Sequence, residues 1–144
     1  MKSIKLISIL IVLSLILPAC APGESNQSKT IPCDDFFANP HITDRLEVGA
    51  GDEFSVNLCS NPTTGFQWIE TVSISDPSVT LQISHQFFGP DEGGESSLPG
   101  TPGSQLWNFK ALEEGSSLLS FEYSRDWEGG EKGAWTYHLT IVVK

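Results

Sequence analysis

Basic residues are scarce in this chain: 8 Lys and Arg stand against 18 Asp and Glu, a formal net charge of −10. Nucleic acid needs Lys and Arg to neutralise its phosphates, so this balance argues against it as a partner. It argues equally against adhesion to anionic lipid by charge. Long hydrophobic runs are missing too. The longest, residues 6–17, holds twelve residues of Leu, Ile, Val and Ser, too few to span a bilayer. Histidine is limited to His41, His85 and His138, which are scattered, and no Cys/His pair has metal-ligand spacing. Neither a metal nor another cofactor is expected. Ser, His and acidic residues form no recognisable catalytic constellation, so the chain does not read as an enzyme. From residue 33 onward no stretch shows a sustained 3.6-residue apolar period, which excludes a helical domain.

The short apolar run has a different use. Lys2 and Lys5 precede it, and it ends at Leu17-Pro18-Ala19-Cys20. A positive start, an apolar core and a small residue before a cysteine resemble the lipobox of a bacterial lipoprotein signal. Residues 1–19 then read as a removed signal. Cys20 reads as a lipid-modified first residue that holds the protein on the outer side of a cell membrane without a spanning helix. An ordinary signal peptide with a chance cysteine is the alternative. Without residues 1–19, 6 basic and 18 acidic residues remain, or −12. Export also places Cys33 and Cys59 in an oxidising compartment, where a disulfide between them is the simple expectation. A paired cysteine cannot act as a nucleophile.

Residues 21–32 are polar, contain Pro and Gly and lack a hydrophobic period, and they read as a tether. The lead-in to the domain runs to residue 43, and the domain itself covers 44–144. Seven strand candidates follow: 45–48, 53–59, 66–72, 78–87, 104–112, 116–124 and 135–143. Apolar residues alternate along most of them. Phe54, Val56 and Leu58 are one such set, Val79, Leu81 and Ile83 another, and Trp135, Tyr137, Leu139, Ile141 and Val143 a third. Seven alternating strands in one domain predict an all-β fold, an immunoglobulin-like β-sandwich. If successive strands run antiparallel, the connections at 60–65, 88–103 and 125–134 share one end, a common way to build a recognition surface on a rigid scaffold.

Those three connections carry the unusual residues. Asn61-Pro62-Thr63-Thr64-Gly65-Phe66-Gln67-Trp68 combines a fixed φ at Pro62, a permissive Gly65 and an Asn able to bond its own turn. Leu98-Pro99-Gly100-Thr101-Pro102-Gly103 reads as a tight set of turns, after a Gly- and acid-rich first half. Arg125-Asp126-Trp127 opens a glycine-rich, acidic stretch, and an exposed Trp beside an Arg suits an interface anchor. Taken singly, each could be plain: a hairpin-like turn, a floppy loop, a Trp folded back on the sandwich edge.

In this order the three motifs resemble the chagasin-like family of cysteine-protease inhibitors, over roughly residues 44–143. The stretch from Asn61 to Phe66, with Trp68, matches the family's first loop. Gly100-Thr101-Pro102-Gly103 is similar to the second, where Pro102 stands for a glycine and stiffens the turn. Arg125-Asp126-Trp127 is similar to the third, where Asp126 replaces a proline and adds a charge. The resemblance implies a monomeric sandwich whose loops plug the cleft of a papain-like cysteine peptidase. Asn61, Pro62, Thr63, Thr64, Gly65 and Phe66 would approach the catalytic centre, with Thr63 and Thr64 at the tip. Gly100, Thr101, Pro102 and Gly103 would line one cleft wall, and Arg125, Asp126 and Trp127 the other. A non-inhibitory surface module, such as a carbohydrate-binding or adhesive sandwich, is the competing reading. It requires the Trp residues to be exposed.

Overall fold

The structure, a computed structural model, describes residues 27–90 and 100–144. Two sheets pack face to face. One has the order β1(Gln27–Ile31), β3(Glu53–Ser60), β7(Gly103–Ala111), β6(Thr80–Phe88). The other runs β2(His41–Val48), β9(Trp135–Val143), β8(Gly115–Ser124), β4(Gln67–Trp68), with β5(Ser73–Ile74) also paired to β8. A short helix, α1(Cys33–Ala38), joins β1 to β2. Among the described residues, no helix is long and apolar enough to cross a membrane.

The alternating strands make the core. Phe54, Val56 and Leu58 of β3 face Trp107 and Phe109 of β7, and Phe121 of β8 and Leu139 and Ile141 of β9 close the other side. Phe109 meets Phe121 edge to face, and so does Trp107. Each such side chain, fully withdrawn from water, contributes about 1.5–3 kcal/mol. The polar ends of the buried aromatics are satisfied. The Trp68 indole N–H donates to the Cys59 carbonyl at 2.8 Å, and that of Trp107 to the Glu70 carbonyl at 3.1 Å. The Tyr137 hydroxyl donates to Asp44 at 3.1 Å, and burial, then the Asp44 charge, push its pKa well above the usual tyrosine range.

Four expectations need correction. Residues 27–31, read as tether, form a strand that pairs in parallel with β3, and only Ile31 of it is buried. An edge strand buries one face at most, so its sequence stays polar. The strand expected at 45–48 starts at His41 and pairs in parallel with β9, so neighbouring strands are not all antiparallel. Of the strand expected at 66–72 only β4 forms, and β5 follows just after it, at 73–74; both pair with β8. Along β6, Val79 just before it is buried, but Leu81 and Ile83 are about half exposed, and Thr80 turns inward instead. The register shifts between Gln82 and Ser84, a bulge at the sheet edge.

Candidate functional site

The connections after β3, β6 and β8 meet at one end of the sandwich, as read from the sequence. The first is a stiff tip. Pro62–Thr64 is a single 3-10 turn, with Pro62 in its first position. The Asn61 side chain caps it, accepting from the Thr63 N–H at 3.3 Å and the Thr63 hydroxyl at 2.6 Å. The Thr64 hydroxyl donates to the Asn61 carbonyl at 2.7 Å. Gly65 ends the turn at φ +79°, a left-handed conformation that favours glycine. Pro62, Thr63 and Thr64 are exposed.

The base of the tip is aromatic. Phe66 is half buried and stacks on Tyr123, with centroids 5.5 Å apart. Trp68 is fully buried and packs on the same ring at 5.0 Å. The Tyr123 hydroxyl accepts from the Asn61 N–H at 2.9 Å. Tyr123 therefore fixes the tip by ring and hydroxyl together. In the sequence it reads only as one more apolar position on an alternating strand, because alternation says nothing about what lies across the sandwich. The Cys33–Cys59 disulfide ties α1 to the strand that leads into Asn61, with Cα atoms 5.1 Å apart.

The other two connections lock onto this tip. Asn61 Nδ2 donates to the Gly100 carbonyl at 2.8 Å. Gly100, Thr101 and Pro102 are exposed; Gly103 opens β7, where a Cβ would sit 2.1 Å from the Phe88 carbonyl oxygen, so only glycine fits without a shift. Residues 98 and 99 lie outside the described residues, as does the acid-rich stretch from Asp91. Arg125 Nη2 donates to the Thr64 carbonyl at 3.3 Å, and its guanidinium lies 4.2 Å from the centre of the Phe66 ring. Such a cation–π contact adds about 0.5–1 kcal/mol. Asp126 bonds Gln67. Trp127 is 54% exposed, so it has not folded back into the sandwich. Its ring edge covers Gly65, where an added Cβ would come within 2.6 Å. The stretch that holds Arg125 and Trp127 closes on itself, through Arg125 N–H to the Glu131 carbonyl at 2.8 Å and Gly130 N–H to the Trp127 carbonyl at 3.0 Å.

The residues singled out from the three motifs thus form one continuous, hydrogen-bonded surface. Phe66 is the partial exception. It faces Tyr123 and Arg125, and serves as the base of the tip more than as its point. The exposure required for a sugar platform is missing: Trp68 and Trp107 are buried, and Trp135 is half buried between Phe36 and Tyr123.

The chain is similar to known proteins. Amoebiasin-2 of Entamoeba histolytica is 26% identical over 118 residues, which cover 78% of this chain and 92% of that protein. Chagasin of Trypanosoma cruzi is 30% identical over 86 residues, 58% of this chain and 74% of chagasin. In three dimensions the chain is similar to the cysteine protease inhibitor EhICP2 from Entamoeba histolytica. The TM-score is 0.61 at 20% identity, over 85% of this chain and all of the other. The family profile described as "Chagasin family peptidase inhibitor I42" matches residues 47–141, and the chain belongs to that family of peptidase inhibitors.

Proposed function

We propose that this protein is a reversible inhibitor of papain-like cysteine peptidases that blocks the active-site cleft with its loop end. The observation that carries this is the bonding of three connections into one surface, with the Thr63–Thr64 tip foremost. A peptidase cleft binds extended backbone. A tip closed by its own 3-10 turn fills that space without offering a peptide bond in attack geometry. Thr63 and Thr64 enter near the catalytic cysteine, Gly100, Thr101, Pro102 and Gly103 lie along one wall, and Arg125, Asp126 and Trp127 along the other. Pro62, the Asn61 cap and the disulfide order the tip before binding, which lowers the entropy lost on association. A contact of about 800 Å² per partner suffices for tight binding when its anchors are well packed. The family's description as peptidase inhibitors and the name of EhICP2 as a cysteine protease inhibitor support the peptidase class.

The test is hydrolysis of a fluorogenic peptide by papain with the purified protein added. Progressive, reversible loss of rate is expected; full activity at micromolar inhibitor rejects the reading for this class.

The same reading places the inhibitor at the cell surface. The signal at 1–19 and Cys20 support a lipid anchor on the outer side of a membrane, with the domain held off it by the residues that follow. Labelled fatty acid should enter the wild-type protein in a bacterial host and not Cys20→Ser. Equal labelling of the two removes Cys20 as the anchor.

A further inference from the structure

The profile match begins at residue 47, so β1, α1 and the disulfide's first cysteine lie ahead of it. α1 nevertheless belongs to the loop end. Cys33 bonds Cys59, two residues before Asn61, and the Thr136 N–H donates to the Pro40 carbonyl at 2.9 Å, beside the start of β9. Its two phenylalanines divide the work. Phe36 is buried, stacked on Trp135 at 5.0 Å and against Trp68 at 5.2 Å, and this contact holds the helix to the sandwich. Phe37 touches Trp135 with a ring edge and is 73% exposed. That one edge contact leaves most of the ring to solvent.

Among the described residues, the two most exposed large apolar side chains are Phe37 and Trp127, and both stand at the loop end. A groove of about 490 Å³ runs between α1 and the tip, with Phe37 and Trp135 on one side and Thr64, Phe66 and Arg125 on the other. Pro102 also lines it. Its walls are mostly apolar rings, and any body that covers Thr64, Pro102 and Arg125 must also cross it. An exposed apolar patch continuous with a binding surface extends that surface.

We propose that α1 is a fourth contact element, in which Phe37 and the groove beside it grip an apolar side chain on the rim of the peptidase cleft. This rests on the inhibitory reading above and deepens it. The three loops block the cleft of the class as a whole. The groove selects within it, favouring peptidases with an apolar residue on that rim over those with a basic one. A charged residue there would lose its water against Phe37 and Phe66, and Arg125 is the one charged residue among the described residues that line the groove, so a basic one would find no partner in it.

The experiment compares the purified wild-type chain with Phe37→Ala against papain. The control is Leu81→Ala, an equally truncated apolar side chain that is half exposed on β6, paired with Lys110 far from the loop end. Phe37→Ala should raise the inhibition constant about tenfold or more, at unchanged melting temperature, while Leu81→Ala leaves it alone. An unchanged constant for Phe37→Ala, with the wild type inhibiting, overturns the fourth contact and leaves the three-loop reading standing. No inhibition by the wild type overturns both. Hydrogen exchange of residues 33–39, with and without papain, decides the question without a substitution. Slower exchange in the complex supports the contact, and identical exchange rejects it.

Discussion

The two ends of this sandwich are built by different rules. At the far end the turns bond mainly onto strands and strand ends of the two sheets. The Gly51 N–H donates to the Ala111 carbonyl at 3.0 Å, the Ala50 N–H to the Lys144 carbonyl at 3.1 Å and the Ser75 N–H to the Leu118 carbonyl at 3.0 Å. These bonds finish the sheets. At the loop end the bonds run from connection to connection: Asn61 to Gly100, Arg125 to Thr64, Gln67 to Asp126. The far end is a closure, and the loop end is a preassembled surface. A binding function costs less ordering when its parts hold one another before the partner arrives.

Three measurements probe that contrast, in order of expected size. Replacing Cys33 and Cys59 by Ser removes the one covalent brace on the loop end among the described residues. The bond closes a separation of 26 residues, so about 3 kcal/mol of stability should go, read from denaturant unfolding of oxidised and variant protein. A loss near zero would mean that packing around Phe36 already holds α1. Trp127→Ala should weaken papain inhibition by about 2 kcal/mol, because its exposed ring is an anchor, yet leave the melting temperature nearly unchanged. An unaltered inhibition constant would reduce Trp127 to a cover for Gly65. The last is a matched pair of glycines, Gly65→Ala and Gly51→Ala. Both positions have positive φ, at +79° and +90°, so each alanine costs about 1 kcal/mol of stability. Only at Gly65 does the new methyl meet Trp127; at Gly51 it points into open space. Inhibition should therefore suffer at Gly65 alone. Equal inhibition constants would break the distinction between the two ends.

The strands that fill the core were the readable part of the fold. Phe54, Val56 and Leu58, or Leu119, Phe121 and Tyr123, alternate because one sheet face is buried, and period two records that directly. The same rule misled along β6. Leu81 and Ile83 alternate with polar neighbours, but on an edge strand with a bulge either face can meet water. β1 was illegible for a related reason, since Gln-Ser-Lys-Thr-Ile buries only its last residue. α1, at six residues, is too short for a helical period. The three motifs could be read because glycine, proline and asparagine carry turn chemistry in single residues. Phe37 could not, since no local rule separates it from Phe36, its buried neighbour.

By itself, then, the sequence determined the elements whose cause is local: the alternating strands, the capped tip at Asn61–Gly65, the turn glycines and the acidic balance. Which strands run parallel, which alternating face turns outward and which of two adjacent phenylalanines meets solvent were decided only in the tertiary structure. Those outcomes depend on partners far along the chain. Tyr123 stands 62 residues from the Asn61 N–H that it receives, and Arg125 stands 61 from the Thr64 carbonyl that it binds. No window of neighbouring residues contains such a pair. The loop end is a surface only because the folded sandwich brings its pieces within a hydrogen bond of each other.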